Sequence, residues 1–262
     1  MSEKAFAKTV KNAKWKMFWR TLPSRVKNIS SNQLSGNGGA METTLHQQLK
    51  SRYCLPGSST EQQLGAYRID VVQGEHLIEV QCSSLAAIRD KIRELSPDYE
   101  MTVVKPIIRK RYITQRKWSQ TLGRRLSPKS GSWMNIFEEM VHFVTVFPQP
   151  RLTLELLLID IDEIRRPPKK RWSRKGYRVE DRKLLEVIDQ RILRVPADLY
   201  SLLPTRLPEQ FSTSEIAGTL QVTRSFAQQI AYCLRESGAA EAIGKTGNAI
   251  QYQKVLPHSK AA

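Results

Sequence analysis

Three acids and one amide stand where a soluble chain has little structural use for them. Glu42 precedes Leu45 and Leu49 by three and seven residues, on the helical face where an apolar residue is expected. Asp70 interrupts the β-rich run Tyr67-Arg68-Ile69-Asp70-Val71-Val72, and Glu79 with Gln81 alternates with Ile78 and Val80 in the next run. A hairpin can bring Asp70 close to Glu79, and Glu42 can reach the same spot from the start of a helix. Carboxylates converging on one point repel each other and raise their own pKa values, a penalty that a hard divalent cation removes. The chemistry that needs such a cation is phosphodiester hydrolysis: it polarises the phosphate, acidifies a bound water and neutralises charge in the transition state. Each residue also has a plainer reading. Glu42 suits the positive end of a helix, Asp70 suits an edge strand facing solvent, and Glu79 with Gln81 suits the polar face of a half-exposed strand.

The elements that would position these groups are legible in part. Ala66–Val72 and Leu77–Cys82 read as a hairpin around Gly74. Ser83 or Ser84 can cap a helix with apolar Leu85, Ile88, Ile92 and Leu95, which Pro97 ends. Lys91 and Arg89 flank that apolar stripe on opposite sides, and either can project its cation back toward the acids or simply stay solvated. Met101–Lys105 reads as a strand beside the hairpin. Lys105–Gly131 holds nine Lys or Arg and no acid, which fits a solvated loop or a phosphate-contacting surface. Met134–Phe147 reads as helical, Leu152–Ile161 as an apolar strand, and Arg165–Lys183 as a second basic stretch. Trp118 and Trp172 lie inside basic stretches, where they can stack on unpaired bases or anchor a loop to the core.

The C-terminal quarter is clearer. Ser212 with Glu215 three residues on is a capping-box signature, and Thr223–Ser237 reads as a second helix stopped by Gly238. A hairpin around Thr246-Gly247-Asn248 follows, giving the order of a winged helix. In that arrangement Thr223, Arg224, Ser225, Gln228 and Gln229 would face phosphates and base edges, with Lys245 and Asn248 on the wing. A winged helix that binds protein instead is the plainer alternative.

The acids, the hairpin and the following helix together resemble the restriction-endonuclease-like PD-(D/E)XK superfamily, nearest to its Holliday-junction-resolvase-type members. The stretches Leu45-His46, Leu49-Lys50, Tyr53, Pro56-Gly57, Ile69–Val72, Ile78–Gln81 and Ala231–Ala239 are similar to an uncharacterised bacterial family that sets such a nuclease-like domain before a winged helix. The resemblance covers roughly 41–256. It implies an α/β fold, a mixed sheet flanked by helices, followed by an α+β winged-helix domain. It further implies that Asp70 and Glu79 ligate Mg²⁺, or Mn²⁺, with Glu42 assisting. The superfamily's usual third residue is Lys; Gln81 stands there and can position a water but brings no charge. The expected organisation is a basic arm over 1–40, a nuclease-like domain over 41–131, a basic connecting region over 132–206, the winged helix over 207–256 and a tail over 257–262.

Composition agrees with that reading and excludes others. The chain has 262 residues, 42 Lys and Arg against 25 Asp and Glu, a net charge of +17 and 40% hydrophobic residues. Such a balance favours a polyanion. Three cysteines without a CxxC pair argue against a disulfide scaffold or structural zinc and for a reducing, cytoplasmic setting. No apolar run approaches the roughly 20 residues that span a bilayer. His46, His76, His142 and His258 form no metal-binding spacing, and Gly244-Lys245-Thr246 lacks the context of a phosphate-binding loop. The expected function is a metal-dependent DNA endonuclease of restriction or repair type. A catalytically silent DNA-binding protein and a binder of structured RNA are the alternatives, and a homodimer is open to any of them.

Overall fold

The computed structural model describes residues 43–168 and 176–255. Glu42, Trp172, His258, the basic arm over 1–40 and the tail over 257–262 lie outside the described residues. Thr43 caps α1 (Thr44–Ser51) by accepting a hydrogen bond from the His46 N–H. Then follow β1 (Ser59–Leu64), β2 (Tyr67–Gln73) and β3 (His76–Val80), a meander with Gly74 turning at φ +62°. Ser84 caps a 3₁₀ turn, Leu85–Ile88, that runs into α2 (Arg89–Leu95). Next come β4 (Glu100–Lys117), β5 (Gln120–Leu126), α3 (Ile136–Met140), β6 (Leu152–Arg166) and β7 (Arg178–Leu193).

These seven strands make one mixed sheet in the order β1-β2-β3-β4-β6-β7, with β5 also on β4. The three central strands β3, β4 and β6 are parallel. β6 is accordingly buried on both faces along most of its length, and its apolar residues concentrate between Leu152 and Ile161. The long β4 uses one edge twice, first for β3 and then for β5.

On one face α1 lays Leu45 and Leu49 over Val71, Ile78, Val104, Leu157 and Ile159. On the other, Leu77, Val103, Leu154 and Leu156 meet Leu85 and Ile92 near α2 and Phe137 of α3. That second core continues into a smaller sheet, β8-β10-β9, formed by β8 (Gln210–Ser212), β9 (Ala240–Thr246) and β10 (Ala249–Lys254). Between β8 and β9 stand α4 (Thr213–Leu220) and α5 (Arg224–Glu236). The molecule is thus mixed α/β: a large mixed sheet flanked by helices and a second, small sheet.

In the C-terminal quarter the two helices and the hairpin stand where expected, and the short strand β8 is added to them. Ser212 and Glu215 form the reciprocal capping box, Thr223 caps α5 and Gly238 ends it at φ +82°.

Three expectations for the middle of the chain differ. The expected boundary at residue 131 falls inside the large sheet, because β6 and β7, within the region expected to be a connector with helix and strand, complete it. A strand that pairs with partners far along the chain leaves no local turn signal. Lys105–Gly131 is chiefly a β-ribbon rather than a loop, since Tyr112, Ile113 and Thr114 favour extended backbone. The helix expected over Met134–Phe147 is α-helical only over Ile136–Met140; beyond it Val141, Val144, Thr145 and Val146 are β-branched and lose side-chain freedom in a helix.

The far end of the sheet carries a buried charge cluster. Glu163 is 1% exposed and receives Arg165 Nη2 at 2.7 Å and Arg182 Nε at 3.1 Å, with Arg111 Nε at 3.7 Å. Burial alone would raise its pKa, but the hydrogen bonds from Arg165 and Arg182 and the charge of Arg111 hold it below the ordinary carboxylate value. A carboxyl depressed on folding stabilises the fold above its unfolded value near 4.5 and loses that contribution as pH falls through the folded value. Glu163→Gln is therefore expected to cost about 3 kcal/mol at neutral pH and to flatten the decline in melting temperature below about pH 4.5. Thermal melts of both proteins from about pH 6 to about pH 3 check this; parallel curves would contradict it.

Candidate active site

The candidate site is built where β2 changes face. Residues two apart on a regular strand share a side, yet Ile69 belongs to the core beneath α2 and Val71 to the core beneath α1. The intervening Asp70 marks that twist. The β2–β3 ladder ends at Val71 and Ile78, and beyond it Asp70 Oδ2 replaces a backbone acceptor, taking the Val80 N–H at 2.8 Å. The same oxygen lies 3.2 Å from His46 Nε2 of α1, which is also 2.9 Å from the Val80 carbonyl. Both neighbours are acceptors, so Nε2 carries the proton. A carboxylate oxygen and a carbonyl oxygen thus aim at one atom.

Glu79 lies on the α2 side of β3, 8% exposed. Its Oε1 accepts from Lys91 Nζ at 2.5 Å, and that amine also donates to the Arg68 carbonyl at 2.7 Å. Its Oε2 is buried with no hydrogen-bond partner among the described residues. Burial and, next, the Asp70 charge raise the Glu79 pKa; Lys91 and, more weakly, the Asp70 backbone N–H oppose both. Lys91 thus pairs directly with Glu79, while Asp70, bonded to the Val80 N–H and facing His46, acts on Glu79 through its charge; of the two cations flanking the helix stripe, Lys91 is the one that turns inward. Arg89 instead donates to the Ala86 carbonyl.

Gln81 is 9% exposed and spends its amide on the adjoining loop, donating to the Ser84 carbonyl at 2.8 Å and accepting from the Ser83 hydroxyl at 3.1 Å. Lys105, its neighbour across β4, was absent from the sequence-based candidates. It is 5% exposed, donates to the Ser83 carbonyl and lies 2.8 Å from Glu139 Oε1, while Glu139 Oε2 takes the Leu85 N–H at 3.0 Å. This network pins the loop between β3 and α2 and hence the direction from which Lys91 approaches. A lysine inside the otherwise apolar run Val103-Val104-Lys105-Pro106-Ile107 was the available signal. His46 carried none.

Can these groups hold a metal? The described residues include no group of three His, Cys, Asp or Glu side chains arranged to do so. Two carboxylates and a carbonyl are nevertheless hard oxygen donors of the kind Mg²⁺ takes with waters and phosphate. The unpartnered Glu79 Oε2 is the feature that fits such a cation, because a bare buried carboxylate oxygen is otherwise costly.

Removing Lys91 tests the electrostatics without metal. Lys91→Met leaves Glu79 buried and unpaired and raises its pKa further, so the penalty is full where Glu79 is ionised and fades as pH falls through the raised value. The expected loss is about 3 kcal/mol at pH 8 and clearly less at pH 5, by urea unfolding in EDTA. A loss independent of pH would contradict it.

At the other end of the chain, Arg224, Gln228 and Asn248 line one groove of about 490 Å³ between α5 and the β9–β10 hairpin, joined by Tyr232 and Arg235. Ser225 and Lys245 are exposed and Gln229 half-buried, none of them lining that groove. The Thr223 hydroxyl accepts the Phe226 N–H as the helix cap, which leaves its own proton to donate.

Residues 43–194 match the family described as a domain of unknown function, DUF8091. The chain belongs to the DUF8091 family. The DUF8091 segment takes in the whole seven-stranded sheet with Asp70, Glu79 and Lys91, and it ends just past β7, before the helix pair and small sheet begin. The chain is also 32% identical over 219 residues, 82% of its length and 86% of the relative's, to an uncharacterised protein of Treponema pallidum (strain Nichols). No solved structure matches it. Among the described residues no helix is long and apolar enough to cross a membrane.

Proposed function

We propose that this protein is a Mg²⁺-dependent endonuclease that hydrolyses DNA phosphodiester bonds, with a restriction-endonuclease-like domain over the large sheet and a winged helix after it. The observation that carries the reading is the bare, buried Oε2 of Glu79 beside Asp70. Those two side chains would hold the cation. When bound, Mg²⁺ supplies phosphate polarisation and an acidified water.

The chain's own groups do the rest. Lys91 fixes Glu79 and sets a positive charge against it, the role that an amide at Gln81 cannot fill. Gln81 and Lys105 hold the Ser83–Leu85 loop in place. The order β8, α4, α5, β9, β10 supports a winged helix, whose α5 offers Arg224, Ser225 and Gln228 at its exposed start. The excess of 42 Lys and Arg over 25 Asp and Glu suits a DNA partner, and three cysteines without a CxxC pair suit a reducing, cytoplasmic setting.

A silent, DNA-binding role draws support from a different contact: Lys91 at 2.5 Å already neutralises Glu79 without any metal. A nicking assay on supercoiled and branched DNA with Mg²⁺ or Mn²⁺ separates the two. Endonuclease action requires metal-dependent conversion to open-circular or cleaved product; DNA retention without any cleavage is the outcome for the silent protein, and RNA retained in preference to DNA would overturn both.

A further inference from the structure

The β4–β5 ribbon ends in a two-residue turn, Trp118-Ser119, between the paired Lys117 and Gln120. Trp118 is 79% exposed and held at φ +56°, a backbone conformation that bulky side chains rarely adopt and glycine adopts freely. The large indole at that position anchors no core. All seven residues of β5 are exposed as well.

The ribbon is nonetheless a defined object. At its root Arg124 lies 4.2 Å from the centre of the Tyr112 ring and 3.0 Å from Asp162 on β6, which also takes the Thr114 hydroxyl at 2.7 Å. Toward the tip it carries Arg116 and Lys117, and no acid occurs anywhere from Lys105 to Gly131. An exposed aromatic ring on an arm with cations and no acid combines the two parts that bind nucleic acid wherever bases are open: cations for the backbone and a flat face for stacking.

We propose that the ribbon is a probe for nucleic acid with unstacked bases, at a junction or along a single strand, and that Trp118 stacks on such a base while Arg116 and Lys117 engage the flanking phosphates. This rests on nucleic acid being the partner but not on metal chemistry, so it is tested in EDTA. Fluorescence anisotropy with a labelled four-way junction, a single strand and a continuous duplex should show Trp118→Ala weakening the first two about tenfold and the duplex by less than about twofold. Trp118→Phe should recover most of the loss. Trp118→Gly should bind as poorly as Trp118→Ala while melting no lower than wild type, because glycine relaxes the turn.

Unchanged binding to all three probes would overturn the proposal, as would an equal loss on all three. So would a Trp118→Ala protein that binds normally but sediments as a smaller species, since the indole would then serve a contact between copies of the chain. A wild type that binds no nucleic acid sinks the functional reading too, whereas wild-type binding with an inert Trp118 sinks only the stacking role.

Discussion

Asp70→Asn and Glu79→Gln are each expected to lower Mg²⁺-dependent DNA nicking by at least about a hundredfold, equivalent to roughly 2.7 kcal/mol of transition-state stabilisation. The amides keep the shape of the carboxylates and remove the charge that would hold the cation. Asp70→Asn retains an acceptor for the Val80 N–H, which Asp70→Ala would leave unsatisfied at a cost of about 1–3 kcal/mol. Glu79→Gln leaves the Lys91 amine without its charge partner and is expected to lower the melting temperature, so nicking is compared at a temperature where both variants are folded. Both variants should still retain DNA, because the groove beside α5 and the basic ribbon are untouched. Residual nicking equal to wild type in both would contradict the assignment.

Phe137→Ala is expected to cost about 3–5 kcal/mol, the range for deleting a fully buried aromatic ring. Phe137 is 0% exposed in the core that joins Leu77 and Leu154 of the large sheet to Ile230 and Leu234 of α5, and its carbonyl lies 3.7 Å from the Cys233 sulfur. The ring thus couples the small-sheet end of the molecule to the large sheet. Urea unfolding followed by circular dichroism should show the loss; a shift below about 1 kcal/mol, or wild-type unfolding in two separated transitions, would show that the two sheets do not share one core.

What the sequence disclosed was whatever local chemistry specifies. The Ser212–Glu215 box, the Thr223 cap, Gly238 and the turn at Gly74 each fix backbone over a few residues, and each stands where expected. The acids Asp70 and Glu79 were legible because a charge in a β-rich run contradicts its neighbours. Lys91 was legible as a candidate from helical spacing, but its inward turn depends on the Arg68 carbonyl, 23 residues away. β5 and β7 were hidden because they are exposed or half-exposed strands without a clean apolar alternation, and only β4 and β6 give them partners. Lys105 was hidden among nine basic residues, although only it stands inside the apolar part of β4. His46 looked like an ordinary helix residue; its position against Asp70 and Val80 comes from α1 docking on the sheet, which no local pattern encodes.

A direct titration of Mn²⁺ into the metal-free protein, followed by the ion's paramagnetic resonance signal, bears most closely on the candidate cation site. Wild type should bind the ion at a site that Glu79→Gln and Asp70→Asn each abolish and Gln81→Ala leaves largely intact. Mn²⁺ binding that is absent in wild type, or unchanged by loss of either carboxylate, would contradict a metal-holding role for Asp70 and Glu79.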